Sequence, residues 1–327
     1  MLDRRALHLQ FRTILLEFSW PRELPPWPGG PIRHLARHFY CTSTSAQVAA
    51  FGVFGPRAMI IRVSWKNLAR RIHAALPAGA LRNVLTCRAY RWMYRHAGLW
   101  CGFDGPTFVV RTRDGTQVRS VREFDPAPLV NDFDPVPLNE GSIVLDIGAN
   151  IGAVSCWLAR RVGHTGRVIA FEPDPKNLEQ IRQNIELNQV RNVTIVDRGA
   201  WDHEGELSFW AEGGYTSSFQ RTSYVEQRPD RYQCIRVPVT TIDRVVRDLE
   251  LPHVDLIKMD IEGSEVAALR GARDTLRRWR PWVIVETHVV EGRSTECGVR
   301  AELEAAGFGR VEVIPDVETS VVVAYRT

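Results

Sequence analysis

Four stretches of this 327-residue chain place carboxylates beside glycines, a lysine or a histidine at spacings that could do chemistry. The first, Val144-Leu-Asp-Ile-Gly-Ala-Asn-Ile-Gly152, reads as a buried strand that runs through a glycine turn into a helix. Gly148 and Gly152 let backbone approach a ligand where a side chain would clash. A dinucleotide fingerprint begun at Gly148 calls for glycine at position 150, and Asn150 stands there, which disfavours a pyrophosphate. Twenty residues beyond Gly152, the next apolar run ends in Ala170-Phe-Glu-Pro173. Glu172 then sits at the tip of the neighbouring strand, where the two oxygens of a carboxylate can accept both hydroxyls of a ribose. Turn and acid together point to a nucleoside.

The other two stretches are Val254-Asp-Leu-Ile-Lys-Met-Asp-Ile-Glu-Gly-Ser-Glu265 and Trp282-Val-Ile-Val-Glu-Thr-His288. Strand alternation places Leu256, Lys258 and Asp260 on one face. An unpaired ammonium inside an apolar strand would give up its proton, so Lys258 needs carboxylates, with Asp260, Asp146 and Glu286 as candidates. Glu286 and His288 share parity at a strand end, so His288 can serve as a general base whose ring Glu286 orients. Asp260 is the second candidate base. The structural alternatives are a buried ion pair for Lys258, a carboxylate favoured by the helix dipole for Glu172 and an ordinary loop residue for His288.

These side chains need a scaffold. After Gly141 short Val- and Ile-rich runs at 143–147, 167–172, 193–197, 254–260 and 282–286 alternate with helical stretches, the pattern of a parallel sheet built from βαβ units. Asp174 can cap a helix whose first turn holds Pro175 and whose stripe is Leu178, Ile181 and Ile185; another helix begins near Ser264 and carries Val266, Leu269, Ala272 and Leu276. Residues 206–239 read as inserted β structure around a flexible polar loop, Gly213 to Ser218. The closing runs 310–314 and 321–325 are joined so tightly that they must pair antiparallel. Upstream, Thr107 to Phe124 suggests a β-hairpin turning at Asp114-Gly115.

Asp146-Ile-Gly-Ala-Asn-Ile-Gly152, Phe171-Glu-Pro-Asp-Pro175, Thr241-Ile-Asp243, Lys258-Met-Asp-Ile-Glu-Gly-Ser-Glu265 and Glu286-Thr-His288, in this order, resemble the FkbM-type family of S-adenosylmethionine-dependent methyltransferases. The resemblance covers about residues 104–327. It implies an α/β fold with a Rossmann-like seven-stranded class I methyltransferase sheet whose last strand is antiparallel, matching the strand count. It implies S-adenosyl-L-methionine as cofactor, with its methionine portion at Asp146, Gly148, Asn150 and Gly152, its ribose on Glu172 and its adenine near Asp197 to Ala200. The reaction it implies is O-methylation of a sugar, glycan or secondary-metabolite hydroxyl. Lys258 then balances the carboxylates or lowers the pKa of the incoming hydroxyl. In-line displacement at a sulfonium carbon requires no metal; a variant recruits Asp260, Glu262 and Glu286 as oxygen ligands for Mg²⁺.

Residues 1–103 form a basic extension outside the resemblance, linker-like at 23–31 and helical over about 64–100. The first 100 residues carry 15 Lys and Arg against 3 Asp and Glu, leaving 27 against 35 for the remainder. A solvated face on a packing helix is the plain account of that charge, with peripheral membrane contact or RNA as alternatives. Methylation of RNA would use Trp65, Trp92 and Trp100 for stacking, but no Asn-Pro-Pro-Tyr-like tetrapeptide follows the fourth strand. A nicotinamide oxidoreductase is disfavoured by Asn150, and a non-catalytic binder by the intact set of acids. With no apolar run of 18 residues, no signal-peptide core and six scattered cysteines, the expectation is a cytoplasmic protein with reduced thiols.

Overall fold

Seven strands whose side chains are almost all apolar can satisfy their backbone only by pairing, and their burial on both faces demands helices above and below. The computed structural model describes residues 45–49, 60–64, 80–94, 98–124, 126, 129, 136–315 and 319–325, all within one unit, His34–Thr327. The linker-like 23–31 segment and the expected helical residues 65–79 lie outside the described residues.

In chain order, β1 (Ser45–Ala49) pairs antiparallel with β2 (Ile60–Ser64). Helix α1 (Ala80–Met93) follows. Its buried side chains include Cys87, while Leu85 is 40% exposed. Strands β3 (Trp100–Asp104), β4 (Thr107–Arg111) and β5 (Gln117–Ser120) form a small antiparallel sheet. The Asp114-Gly115 pair does not close a two-residue turn. Gly115 N–H donates to Thr112 O (3.1 Å) and Thr112 N–H to Thr116 O (3.0 Å), giving a three-residue loop steadied by Asp114 Oδ1 on Thr116 N–H (3.1 Å).

The main sheet begins with β6 (Ile143–Ile147), α2 (Ala153–Arg161), β7 (Arg167–Phe171), α3 (Pro175–Asn188) and β8 (Val193–Val196). A second sheet is inserted next: β9 (Gly199–Ala200), β10 (Gly205–Ala211), helix α4 (Ser223–Gln227) and β11 (Gln233–Thr240). Helix α5 (Ile242–Asp248) leads back to β12 (Leu256–Met259), α6 (Glu265–Arg270), α7 (Arg273–Trp279) and β13 (Trp282–Thr287). The short pair β14 (Val289–Val290) and β15 (Arg293–Ser294), helix α8 (Glu296–Ala305), β16 (Arg310–Pro315) and β17 (Ser320–Tyr325) complete the chain. The sheet order is β16-β17-β13-β12-β6-β7-β8, and β17 alone runs against its neighbours. That is the expected Rossmann-like class I methyltransferase sheet with an antiparallel last strand.

The one long helix expected after Ser264 is two. Asp243 explains the break: its carboxylate accepts from Thr275 N–H (2.8 Å) and Asp274 N–H (3.0 Å), capping α7 as a new start. Helix α3 carries its expected stripe, with Ile181 fully buried, and a polar one beside it. Gln180, Asn184 and Asn188, one turn apart, take up the free edge of β5: Asn188 Oδ1 accepts from Gln117 N–H (2.9 Å), Asn184 Oδ1 from Arg119 N–H (2.8 Å) and Gln180 Oε1 from Val121 N–H (3.1 Å). Side-chain amides thus replace a missing strand and dock the small sheet onto the main one. Among the described residues no helix is long and apolar enough to cross a membrane.

Strand order reverses at β6, since β7 lies on one side of it and β12 on the other. The carboxyl ends of β6 and β12 are where open sheets of this kind place their ligands. Gly148 makes that junction close: its φ is +81°, and a Cβ would lie 1.9 Å from Asp260 O. Gly148→Ala should therefore destabilise the fold by about 3 kcal/mol or more, combining backbone strain with overpacking. Urea unfolding tests this, and a loss below about 1 kcal/mol would show that the two loops can separate freely.

Candidate functional site

Strand register brings the first two carriers of charge together. Lys258 on β12 pairs directly with Asp146 on β6. Its ammonium stands 3.3 Å from Asp146 Oδ1 and donates to Gly148 O (3.0 Å). Asp146 is fully buried and also accepts from Ser155 Oγ (2.5 Å) on α2. Burial alone would depress the Lys258 pKa, but Asp146, Asp260 and Glu286 outweigh it and hold the amine above its ordinary value. Of the three carboxylates expected around Lys258, Asp146 is its ion-pair partner, while Asp260 and Glu286 also act on its charge. The glycines act differently from expectation: Gly148 is demanded by the carbonyl of Asp260, and Gly152 by α3, where Ile181 Cγ2 would be 3.2 Å from a Cβ.

Glu172 ends the β7 segment with both oxygens engaged. Oε2 accepts from Asn150 N–H (2.8 Å), and Oε1 from Asp174 N–H (2.9 Å) and Asn177 Nδ2 (3.4 Å). Burial pushes its pKa up to about 8, with Asp174 adding to the shift against the amide donors. A carboxylate keeps lone pairs beyond those used here. Beside it, Asn150 Oδ1 and Asn177 Oδ1 are buried without a hydrogen-bond partner, as acceptors meant for a polar ligand would be. The residues present therefore fit a nucleoside at this turn. Asp197 follows Val196, whose carbonyl takes Glu172 N–H (3.1 Å); it is exposed, while Ala200 is buried.

The inserted sheet closes over this edge. The segment 213–218 is tied down, not free: Asp174, which caps α3 through Lys176 N–H, also accepts from Gly213 N–H (2.9 Å) and Ser217 Oγ (2.8 Å). Asn177 Nδ2 reaches Gly214 O (3.3 Å), and Ser218 Oγ donates to Glu262 O (2.7 Å). One loop thereby links the Glu172 side to the acidic side.

On that acidic side, His288 lies among three carboxylates. Glu265 Oε1 is 2.8 Å from Nδ1, while Asp260 Oδ1 and Glu262 Oε1 are 3.6 and 3.7 Å from Nε2. Glu265, not Glu286, orients the ring. His288 follows the last residue of β13, so strand parity no longer governs where its side chain points. Glu286 instead accepts from Thr319 Oγ1 (3.4 Å). Burial works against a charged imidazole, but the Glu265 hydrogen bond with Glu262 and Asp260 raises its pKa to about 10. Glu262 is pushed up to about 8 by burial, with neighbouring acids adding to the shift against His288. Sequence reasoning assigned nothing to Glu265, although it closes the Lys258–Glu265 motif on the first turn of α6.

The family model described as Methyltransferase FkbM domain matches residues 146–309, half of the chain. The chain belongs to the FkbM methyltransferase family. The matched part is accordingly a methyltransferase domain. This FkbM-family chain is 28% identical to the 31-O-demethyl-FK506 methyltransferase FkbM of Streptomyces tacrolimicus over 52% of its own length and 74% of that protein. It is 30% identical to the 2-O-methyltransferase NoeI of Sinorhizobium fredii, covering 42% of this chain and 60% of NoeI. It also matches AMB antimetabolite synthetase AmbE of Pseudomonas aeruginosa at 26% identity over 45% of this chain, spanning only 8% of that protein. A crystal structure of methyltransferase FkbM from Methylobacillus flagellatus is similar at 21% identity and a TM-score of 0.41, over 57% of this chain and 44% of that one.

A buried carboxyl with a raised pKa favours the folded state most when protonated. Its contribution is fully present below the ordinary value of 4.5 and is lost as pH rises through about 8. In the cofactor-free protein, stability should fall by about 1.4 kcal/mol per pH unit on this account over that window. Glu172→Gln should flatten the slope in urea unfolding at stepped pH; an identical slope in the variant would place the titration elsewhere.

Proposed function

We propose that this methyltransferase transfers the methyl group of S-adenosylmethionine to a hydroxyl oxygen of a sugar, glycan or secondary metabolite. One observation carries the reading: Gly148, in the glycine turn beside Glu172, is packed against Asp260, which begins the acidic cluster of Asp260, Glu262 and His288. A nucleoside anchored by Glu172, with Asn150 and Gly152 around its amino-acid tail, would present its sulfonium toward that pocket. The relatives' names, a 31-O-demethyl-FK506 methyltransferase and a 2-O-methyltransferase, support oxygen as the acceptor atom.

The sulfonium supplies an activated carbon, so the chain's residues align the oxygen for in-line attack and remove its proton. His288, first choice from sequence, is 11% exposed and has both ring nitrogens turned to carboxylates. Asp260, with 39% of its side chain open, is the group that an incoming hydroxyl can reach, and it takes the proton. Lys258 balances the charge of the neighbouring acids and holds the glycine turn in place. Asp197 and Ala200 border the adenine.

Two measurements test this. Calorimetric titration should give S-adenosylhomocysteine binding and none with NAD⁺, and mass spectrometry of hydroxylated glycans and metabolites should find products heavier by one methyl group. Asp260→Asn should lower turnover by about a hundredfold or more with cofactor affinity nearly unchanged. Full turnover in that variant would remove Asp260 as the base.

A further inference from the structure

Resting on the reading that a hydroxyl is methylated here, we propose that Asp260, Glu262 and His288 hold one divalent first-row transition cation beside the acceptor. A ligand atom from each lies within 4.8 Å of the other two. His288 Nε2 is 3.6 Å from Asp260 Oδ1 and 3.7 Å from Glu262 Oε1. Charge-assisted hydrogen bonds would draw such atoms to about 2.7–2.9 Å. Two ligands on one ion, with bonds of about 2.0–2.2 Å, stand about 3–3.7 Å apart instead.

A separate observation concerns a residue outside the trio. Glu265 is fully buried, reaches in from α6 and takes Nδ1 at 2.8 Å, so that Nε2 is the nitrogen presented to the two carboxylates. Histidines that bind metal characteristically have this outer carboxylate, which fixes the ring and makes the free nitrogen more basic. The second oxygen of Glu265 is buried with no hydrogen-bond partner. Among the described residues the ion pairs of Asp260 and Glu262 run to His288 alone. The partly open Asp260 gives an ion a route from solvent.

One imidazole nitrogen with two carboxylate oxygens suits Co²⁺ or Zn²⁺ better than an all-oxygen set would and is accepted by Mn²⁺, while imidazole counts against Mg²⁺. The Mg²⁺ variant with Glu286 is thus replaced by a different trio. The unfilled positions of the ion would take the acceptor oxygen as a Lewis base and lower its pKa. In the step, the O–H bond breaks with its proton passing to the second oxygen of Asp260. The new O–C bond forms as the C–S bond breaks, releasing S-adenosylhomocysteine. The ion keeps its oxidation state throughout.

The whole chain, stripped with EDTA and titrated with MnCl₂, should bind one equivalent by calorimetry and by loss of the free-Mn²⁺ paramagnetic resonance signal. His288→Ala should weaken binding a hundredfold or more, and Glu265→Gln, which removes no ligand, by about 10- to 100-fold. Circular dichroism checks the fold of each; if His288→Ala does not fold, Glu265→Gln decides. No binding by the folded wild type, or unchanged binding in a folded variant, overturns the site. S-adenosylhomocysteine titrated into the same preparations separates the two readings. Nucleoside bound without Mn²⁺ sinks the cation alone, whereas Mn²⁺ bound without nucleoside sinks methyl transfer and leaves the cation site standing.

Discussion

The ion pair between Lys258 and Asp146 fixes everything around it. Two charges 3.3 Å apart between adjacent central strands are tolerated because neither is left alone: the ammonium also reaches Gly148 O, and the carboxylate also accepts from Ser155. Removing one partner would strand the other in an apolar sheet, which typically costs about 3–5 kcal/mol, while an apolar pair of equal volume could be as stable. Stability alone therefore does not explain the pair. Its geometric effect does: Lys258 pins the carbonyl of the glycine turn, and the turn in turn abuts Asp260. A sulfonium seated on one loop and a hydroxyl held by the other can be collinear only if the two loops do not drift.

The inserted sheet applies the same logic from above. Asp174 serves as a helix cap through one oxygen and a loop anchor through the other, so the start of α3 and the segment over the Glu172 side form one unit. Ser218 extends that unit to Glu262. The loop between β10 and β11 thus spans both halves of the site.

Strand positions were legible because the inner strands of the main sheet are buried apolar runs and its half-buried edge strands are still Val- and Ile-rich, and Lys258 was legible because an ammonium in such a run has few ways to be satisfied. Two features were hidden. Gln180, Asn184 and Asn188 look like the solvated side of an amphipathic helix, since a one-turn spacing of amides is common on exposed faces. Only the three-dimensional placement of β5 reveals that they replace a strand. The partner of His288 was misread for a different reason. Parity along β13 predicts direction only while the chain stays extended and paired, and it ends one residue short. The acid that does reach the ring lies 23 residues upstream on another element, a separation that no local pattern encodes.

The balance of charge in the pocket follows from that placement. Asp260, Glu262 and Glu265 converge on a single imidazole, and Glu286 bears on the same region through Lys258 and Glu262. With Asp146, five carboxyl groups stand against one ammonium and one imidazole, more acid than the fold needs for its own cohesion, and ionising all of them costs free energy unless something positive arrives. The sulfonium is one such charge, and it comes and goes with each turnover. A second, resident positive charge would balance the cluster between turnovers. A neutral sugar or metabolite hydroxyl brings none, so the acidity of this pocket makes more sense as a cradle for cations than as a surface for the acceptor itself.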